Sequence, residues 1–128
     1  MKNLFFDFDD LKYLGKNSII GKTVRIRYPE LVSIGDNCII DDFTYISTEL
    51  RLGDNVHISS GCKLIGGKKS SVIMESFSTT APNVVLAAGN DDYISGIGSP
   101  TIPFEFKGNV TYGKIHLSEL TIVGSNSV

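Results

Sequence analysis

The chain is poor in the residues that most protein chemistry uses. Its 128 residues include two histidines and two cysteines. Two cysteines do not make a disulfide framework. No run of apolar residues is long enough to cross a bilayer, so no membrane insertion is expected. No basic patch stands out, and 12 basic residues against 14 acidic ones leave a net charge of −2. That balance argues against a nucleic-acid partner. The opening Met1-Lys2-Asn3-Leu4-Phe5-Phe6 is followed at once by Asp7, Asp9 and Asp10, which is not the pattern of a secretory signal. No Thr-x-Thr ladder repeats, as an ice-binding face would require, and no serine or cysteine stands out as a covalent nucleophile. Hydrophobic residues make up 41%, enough for the core of one domain.

What the chain does have is a period of six. Ile34, Ile40, Ile46, Leu52, Ile58 and Leu64 stand six apart, and Cys38, Thr44, Leu50, Val56 and Cys62 stand two before the last five. Six is neither the 3.6 of a helix nor the 2 of a strand. It is the mark of a parallel β-helix, in which each hexad supplies one short strand and one turn. Three hexads make a triangular coil, and coils stack roughly 4.8 Å apart. Gly35-Asp36-Asn37 and Gly53-Asp54-Asn55 fall where the corners must turn, and such residues tolerate positive φ. Cys38 and Cys62 take inward positions and read as small buried hydrophobes, which suits a reducing cytoplasm.

Residues 1–18 do not follow the repeat. Phe5, Phe6, Phe8, Leu11 and Tyr13 read as a cap over the open end of the helix. Residues 19–128 form the β-helix domain, with 87–114 as a protruding loop. Taken three at a time from Ile20, the inward residues group as 20/26/34, 40/46/52, 58/64/74 and 80/86/117, with an incomplete coil from Val123. The insertions between 26 and 34, 64 and 74, and 86 and 117 then leave from one corner, and gathered loops mark a working edge. The longest carries Tyr93, Ile94, Ile97, Ile102, Phe104 and Phe106, stiffened by Pro100 and Pro103. It is predicted to be ordered, and to pack across to a neighbouring subunit.

The repeat resembles the left-handed β-helix of the hexapeptide-repeat acyltransferases, with the galactoside, maltose and surface-polysaccharide sugar O-acetyltransferases nearest. Ile34-Gly35-Asp36-Asn37 and Leu52-Gly53-Asp54-Asn55-Val56 resemble the family's I-G-D-N-V turns. Ala81-Pro82-Asn83-Val84-Val85-Leu86 is similar to the strand that leads into its active-site loop. Ile122-Val123-Gly124-Ser125-Asn126-Ser127-Val128 is similar to the coil after that loop. The resemblance implies a left-handed parallel β-helix of four to five coils and a homotrimer. It also implies acetyl transfer from acetyl-CoA to a sugar hydroxyl, with no metal cofactor. The γ-type carbonic anhydrases share this helix, but they need three zinc-binding histidines.

The sequence departs from the family where the chemistry lies. Asp91 stands about where the galactoside and maltose enzymes carry their catalytic histidine, and Thr48 replaces a histidine of the nucleotide-sugar N-acetyltransferases. The chain also ends before the family's last coils. A shortened, non-catalytic scaffold that oligomerises is therefore the alternative reading. Acyl transfer needs a general base near neutral pKa, which histidine supplies. His57 lies between inward Val56 and Ile58 and points outward, either as that base or as an ordinary surface histidine. His116 also points outward and reads as surface. Asp91 and Asp92 would orient the base or hold the acceptor, with Asn90 and Tyr93 beside the substrate, unless they are merely solvated. Lys68, Gly124 and Ser125 are the candidates for contact with acetyl-CoA, although two lysines at a Gly-Gly turn can be merely solubilising.

Overall fold

A computed structural model describes residues 2–128. Over the described residues the chain winds through fourteen strands, most of them two to four residues long, around a three-sided prism. In order they are β1 (Tyr13–Leu14), β2 (Ile19–Ile20), β3 (Arg25–Ile26), β4 (Val32–Ile34), β5 (Ile39–Ile40), β6 (Tyr45–Leu52) and β7 (His57–Ile58). They continue as β8 (Lys63–Met74), β9 (Thr79–Thr80), β10 (Val85–Ala87), β11 (Gly89–Asn90), β12 (Thr111–Tyr112), β13 (Lys114–Leu117) and β14 (Ile122–Val123). All pairings are parallel except the β11–β12 ribbon. The architecture is the left-handed β-helix that the hexad period implies.

The ladder register gives three stacked columns of inward side chains. One face stacks Ile26, Ile46, Leu64 and Leu86. A second stacks Leu14, Ile34, Leu52, Met74 and Leu117. The third stacks Ile20, Ile40, Ile58, Thr80 and Val123. The coils of the sequence reading are thus the coils of the molecule. Ile40, Ile46, Ile58 and Leu64 are buried, as are Cys38 and Cys62 two residues before their columns. Stacking is what makes this possible, because a single coil leaves both its edges and half its apolar surface wet.

The corners differ in kind. Where the second face turns into the third, Asn17, Asn37, Asn55, Phe77 and Leu120 take positive φ; where the third turns into the first, Phe43, Gly61, Asn83 and Asn126 do. Asparagine and glycine were expected here, but Phe43, Phe77 and Leu120 were not, since a bulky side chain is strained in this region. The aspartates beside these turns have another task. Asp36 accepts the backbone N–H of Lys16 at 2.8 Å, and Asp54 accepts that of Asp36 at 2.8 Å, so each ties down the coil before it. Gly35 is required by close approach rather than by φ, since a Cβ there would collide with the Gly53 carbonyl.

The remaining corner, from the first face to the second, has no positive φ in the second coil, and in the third only at the inserted Gly66-Gly67. There β6 and β8 run around the bend as continuous strands, with a register shift near Thr48. A corner closed by extended backbone accepts extra residues without breaking a turn. All three insertions leave here: the 3-10 turn Pro29–Leu31, the Gly66-Gly67-Lys68-Lys69 bend and the long loop.

At the N-terminal end, Phe6, Phe8, Leu11 and Leu14 pack against the core. Phe5 and Tyr13, expected in the cap, stand exposed. The ladder begins at Tyr13–Leu14, which pair with Ser33–Ile34, ahead of the expected start at residue 19.

Candidate active site

Two histidines are displayed on different faces, and each has a carboxylate. His57 leaves the third face and its Nε2 lies 2.8 Å from Asp41 Oδ2. His116 leaves the second face and its Nε2 lies 2.8 Å from Glu75 Oε2. An ionised carboxylate only accepts, so Nε2 is the donor in both pairs, and in the neutral ring the lone pair is then on Nδ1. Each carboxylate therefore orients its ring, and the neutral form presents Nδ1, the arrangement a general base needs. Both pairs are half-exposed.

The two pairs arise from one rule of the ladder. His57 pairs across the sheet with Ile39, and Asp41 lies two residues beyond Ile39 on the same outward side. His116 pairs with Ile73, and Glu75 lies two residues beyond Ile73. Outward positions alternate, so residue and diagonal neighbour meet. Neither carboxylate was among the expected site residues.

The loop begins as the ribbon of β11 and β12, which brings Asn90 beside Thr111. Asp91 Oδ1 lies 3.5 Å from Lys107 Nζ, and the two side chains are only 17% and 13% exposed. Asp92 is consumed by the backbone: Oδ1 accepts from Ile94 and Ser95 at 3.0 Å, and Oδ2 accepts from Asn109 at 3.1 Å. These N–H donors, led by that of Ser95, pull its pKa down to about 2. Such a carboxylate is a clamp and a poor base. Tyr93 and Ile94 are exposed, as are Ile97, Phe104 and Phe106. The loop is thus ordered by its own polar contacts and keeps most of its apolar residues on the outside.

The structure does not bring all the expected residues together. Within one chain the loop leaves the corner opposite the third face, so His57 has Asp41 as its carboxylate and not Asp91 or Asp92. Gly124 and Ser125 form the exposed turn after β14, where Ser127 N–H donates to the Gly124 carbonyl. Lys68 stands at the insertion corner, its Nζ 5.1 Å from the centre of the Tyr28 ring. Burial pushes the Cys38 thiol up, which leaves it inert. Among the described residues no three His, Cys, Asp or Glu side chains gather as a metal site would require. Among the described residues no helix is long and apolar enough to cross a membrane.

Comparison with known proteins names the scaffold. Residues 32–66 match the family model described as bacterial transferase hexapeptide (six repeats). The crystal structure of AntD, an N-acyltransferase from Bacillus cereus, in complex with dTDP and 3-hydroxybutyryl-CoA is similar to this chain. The identity is 32%, over 97% of this chain and 68% of AntD, with a TM-score of 0.85. The chain belongs to the hexapeptide-repeat acyltransferases. Within that family, a single-residue variant of the same Bacillus cereus enzyme, in complex with dTDP-4-amino-4,6-dideoxyglucose and coenzyme A, matches at 32% identity. It covers 97% of this chain and 69% of the variant, with a TM-score of 0.86. No curated protein sequence matches the chain significantly. AntD is an N-acyltransferase, whereas the motifs of the sequence alone pointed toward O-acetylation.

Proposed function

We propose that the protein transfers an acyl group from an acyl-CoA to a sugar carried on a nucleotide. The observation that carries this is the likeness to AntD, which spans nearly the whole chain and whose bound molecules are a coenzyme A species and a dTDP compound. The AntD complex with an amino sugar favours an amine acceptor over the hydroxyl expected from the sequence motifs. Acetyl is the simplest acyl group, and acetyl-CoA the donor to try first. Modification of a surface polysaccharide is the setting such a sugar would serve.

In this reading His57 is the base, oriented by Asp41. Its Nδ1 takes the proton of the acceptor as the acceptor nitrogen or oxygen attacks the thioester carbonyl. The tetrahedral oxyanion is met by backbone N–H groups. Collapse breaks the carbon–sulfur bond, and the CoA sulfur leaves with the proton that His57 carried. Asn90, Asp91 and Tyr93 at the start of the loop would line the acceptor, and Gly124 and Ser125 the donor. Because loop and His57 lie on opposite sides of one chain, the site is completed by a second copy, as in the homotrimer that the resemblance implied. The exposed apolar loop residues would be covered in that assembly.

The test is thiol release from acetyl-CoA and 3-hydroxybutyryl-CoA, with dTDP-linked amino sugars and their hydroxyl counterparts as acceptors. Release that depends on the amine supports the reading. Release only with the hydroxyl sugar would return the function to O-acetylation. No release with any pair would leave a non-catalytic oligomeric scaffold.

A further inference from the structure

The insertion corner carries a cationic strip, without carboxylate partners among the described residues, that the histidine chemistry does not use. Arg27, in the first coil, holds its guanidinium carbon 5.6 Å from the centre of the Tyr28 ring. Lys68, in the third coil, reaches past the second coil to the same ring, at 5.1 Å. Lys69 turns toward the coil above, with Nζ 5.4 Å from the centre of the Tyr112 ring. Two consecutive lysines thus tie the three insertions to one another. Gly67 makes this bend possible. Its φ is +82°, in the left-handed region, while a Cβ there would meet nothing, so the backbone conformation alone demands glycine.

None of the three cations has a carboxylate within 4 Å among the described residues, in a chain with more acidic than basic residues. Merely solubilising lysines have no reason to converge on tyrosine rings. An aromatic face holds a cation without consuming its N–H donors, so the lysine donors stay available for an anion, while Arg27 shares its guanidinium with the Tyr45 side chain and keeps its remaining donors. The strip spans the first to the fourth coil, on the order of 14 Å at one strand spacing per coil. That length suits more than a single phosphate.

We infer that the edge formed by Arg27, Lys68 and Lys69, set by Tyr28 and Tyr112, holds the phosphate groups of a nucleotide ligand. The inference rests on the transferase reading for its two candidate sources, the nucleotide half of coenzyme A and the nucleotide diphosphate of the sugar. Arginine would grip a phosphate through two parallel N–H donors and the lysines as point charges.

The experiment is calorimetric titration of the full chain with 3′,5′-ADP and with dTDP. The variants are Arg27→Gln/Lys68→Gln/Lys69→Gln, and Lys68→Arg/Lys69→Arg, which keeps the charge. Circular dichroism checks that both are folded. The triple variant is expected to bind one of the two nucleotides at least tenfold more weakly, while the arginine variant binds near wild type. Weakening for 3′,5′-ADP assigns the edge to the acyl donor, and weakening for dTDP assigns it to the sugar nucleotide. Unchanged binding of both by the triple variant, or no binding of either by the wild type, overturns the inference. The two readings fail separately. Transfer activity with both KM values unmoved in the triple variant defeats the edge and leaves the transferase. Nucleotide binding through the edge without thiol release from any donor and acceptor defeats the transferase and leaves the edge.

Discussion

The carboxylate of Asp92 accepts the backbone N–H of Asn109 at 3.1 Å and so joins the two ends of the long loop. With Ile94 and Ser95 as further donors, one side chain closes a loop that exposes most of its apolar residues. Its pKa of about 2 lies below the ordinary 3.8. A depressed carboxylate pKa contributes order above the unfolded value, and that contribution is lost as pH falls through the folded value. The loop should therefore loosen between about pH 4 and pH 2, while the core stays paired. Limited proteolysis within 93–108 by an acid-active protease would follow this. Asp92→Asn should cut faster already at neutral pH and show no further acid step. A loop that stays equally resistant at pH 2 would refute the clamp.

The core should respond to single methylenes. Ile46 is fully buried in the column of Ile26 and Leu64. Ile46→Ala should cost about 2–5 kcal/mol, the usual range for a large aliphatic truncated in a packed core. Urea denaturation reads this directly. A cost below about 1 kcal/mol would be that of a surface position and would contradict the register.

One corner carries strain that can be removed. Phe77 holds φ at +63° in a stack where Asn17, Asn37 and Asn55 take the same conformation, and the residue is 56% exposed. Asparagine tolerates this region better than phenylalanine by about 1 kcal/mol. Phe77→Asn should therefore raise the urea midpoint. A lower midpoint would show that the exposed ring contributes more to stability than the backbone strain removes.

The histidines should separate by function. If the proposed transfer occurs, His57→Ala should lower kcat by about 10²–10⁴, the usual contribution of a general base. Asp41→Asn should lower it less, because the base remains but its tautomer is no longer held. His116→Ala should leave kcat within about twofold. Light scattering should show the same oligomer in all three. Loss of activity on replacing His116 rather than His57 would move the base to the second face.

The sequence by itself determined the coil and its register. Each hexad meets the same surroundings as the one stacked on it, so the same demand recurs along the chain and appears as a period. Ile20, Ile26 and Ile34 therefore announced their neighbours, and the insertions announced their shared corner. The sequence also held the diagonal rule that joins His57 to Asp41, though this is readable only once the ladder register is known. Tertiary structure alone decided the rest. The pairing of His116 with Glu75 spans the long loop, whose length carries no period. The clamp at Asp92, the burial of Asp91 with Lys107 and the reach of Lys68 across a coil to Tyr28 depend on loop backbone and side-chain rotamers. Those are set by contacts that occur once in the molecule, and a contact made once leaves no repeat to read.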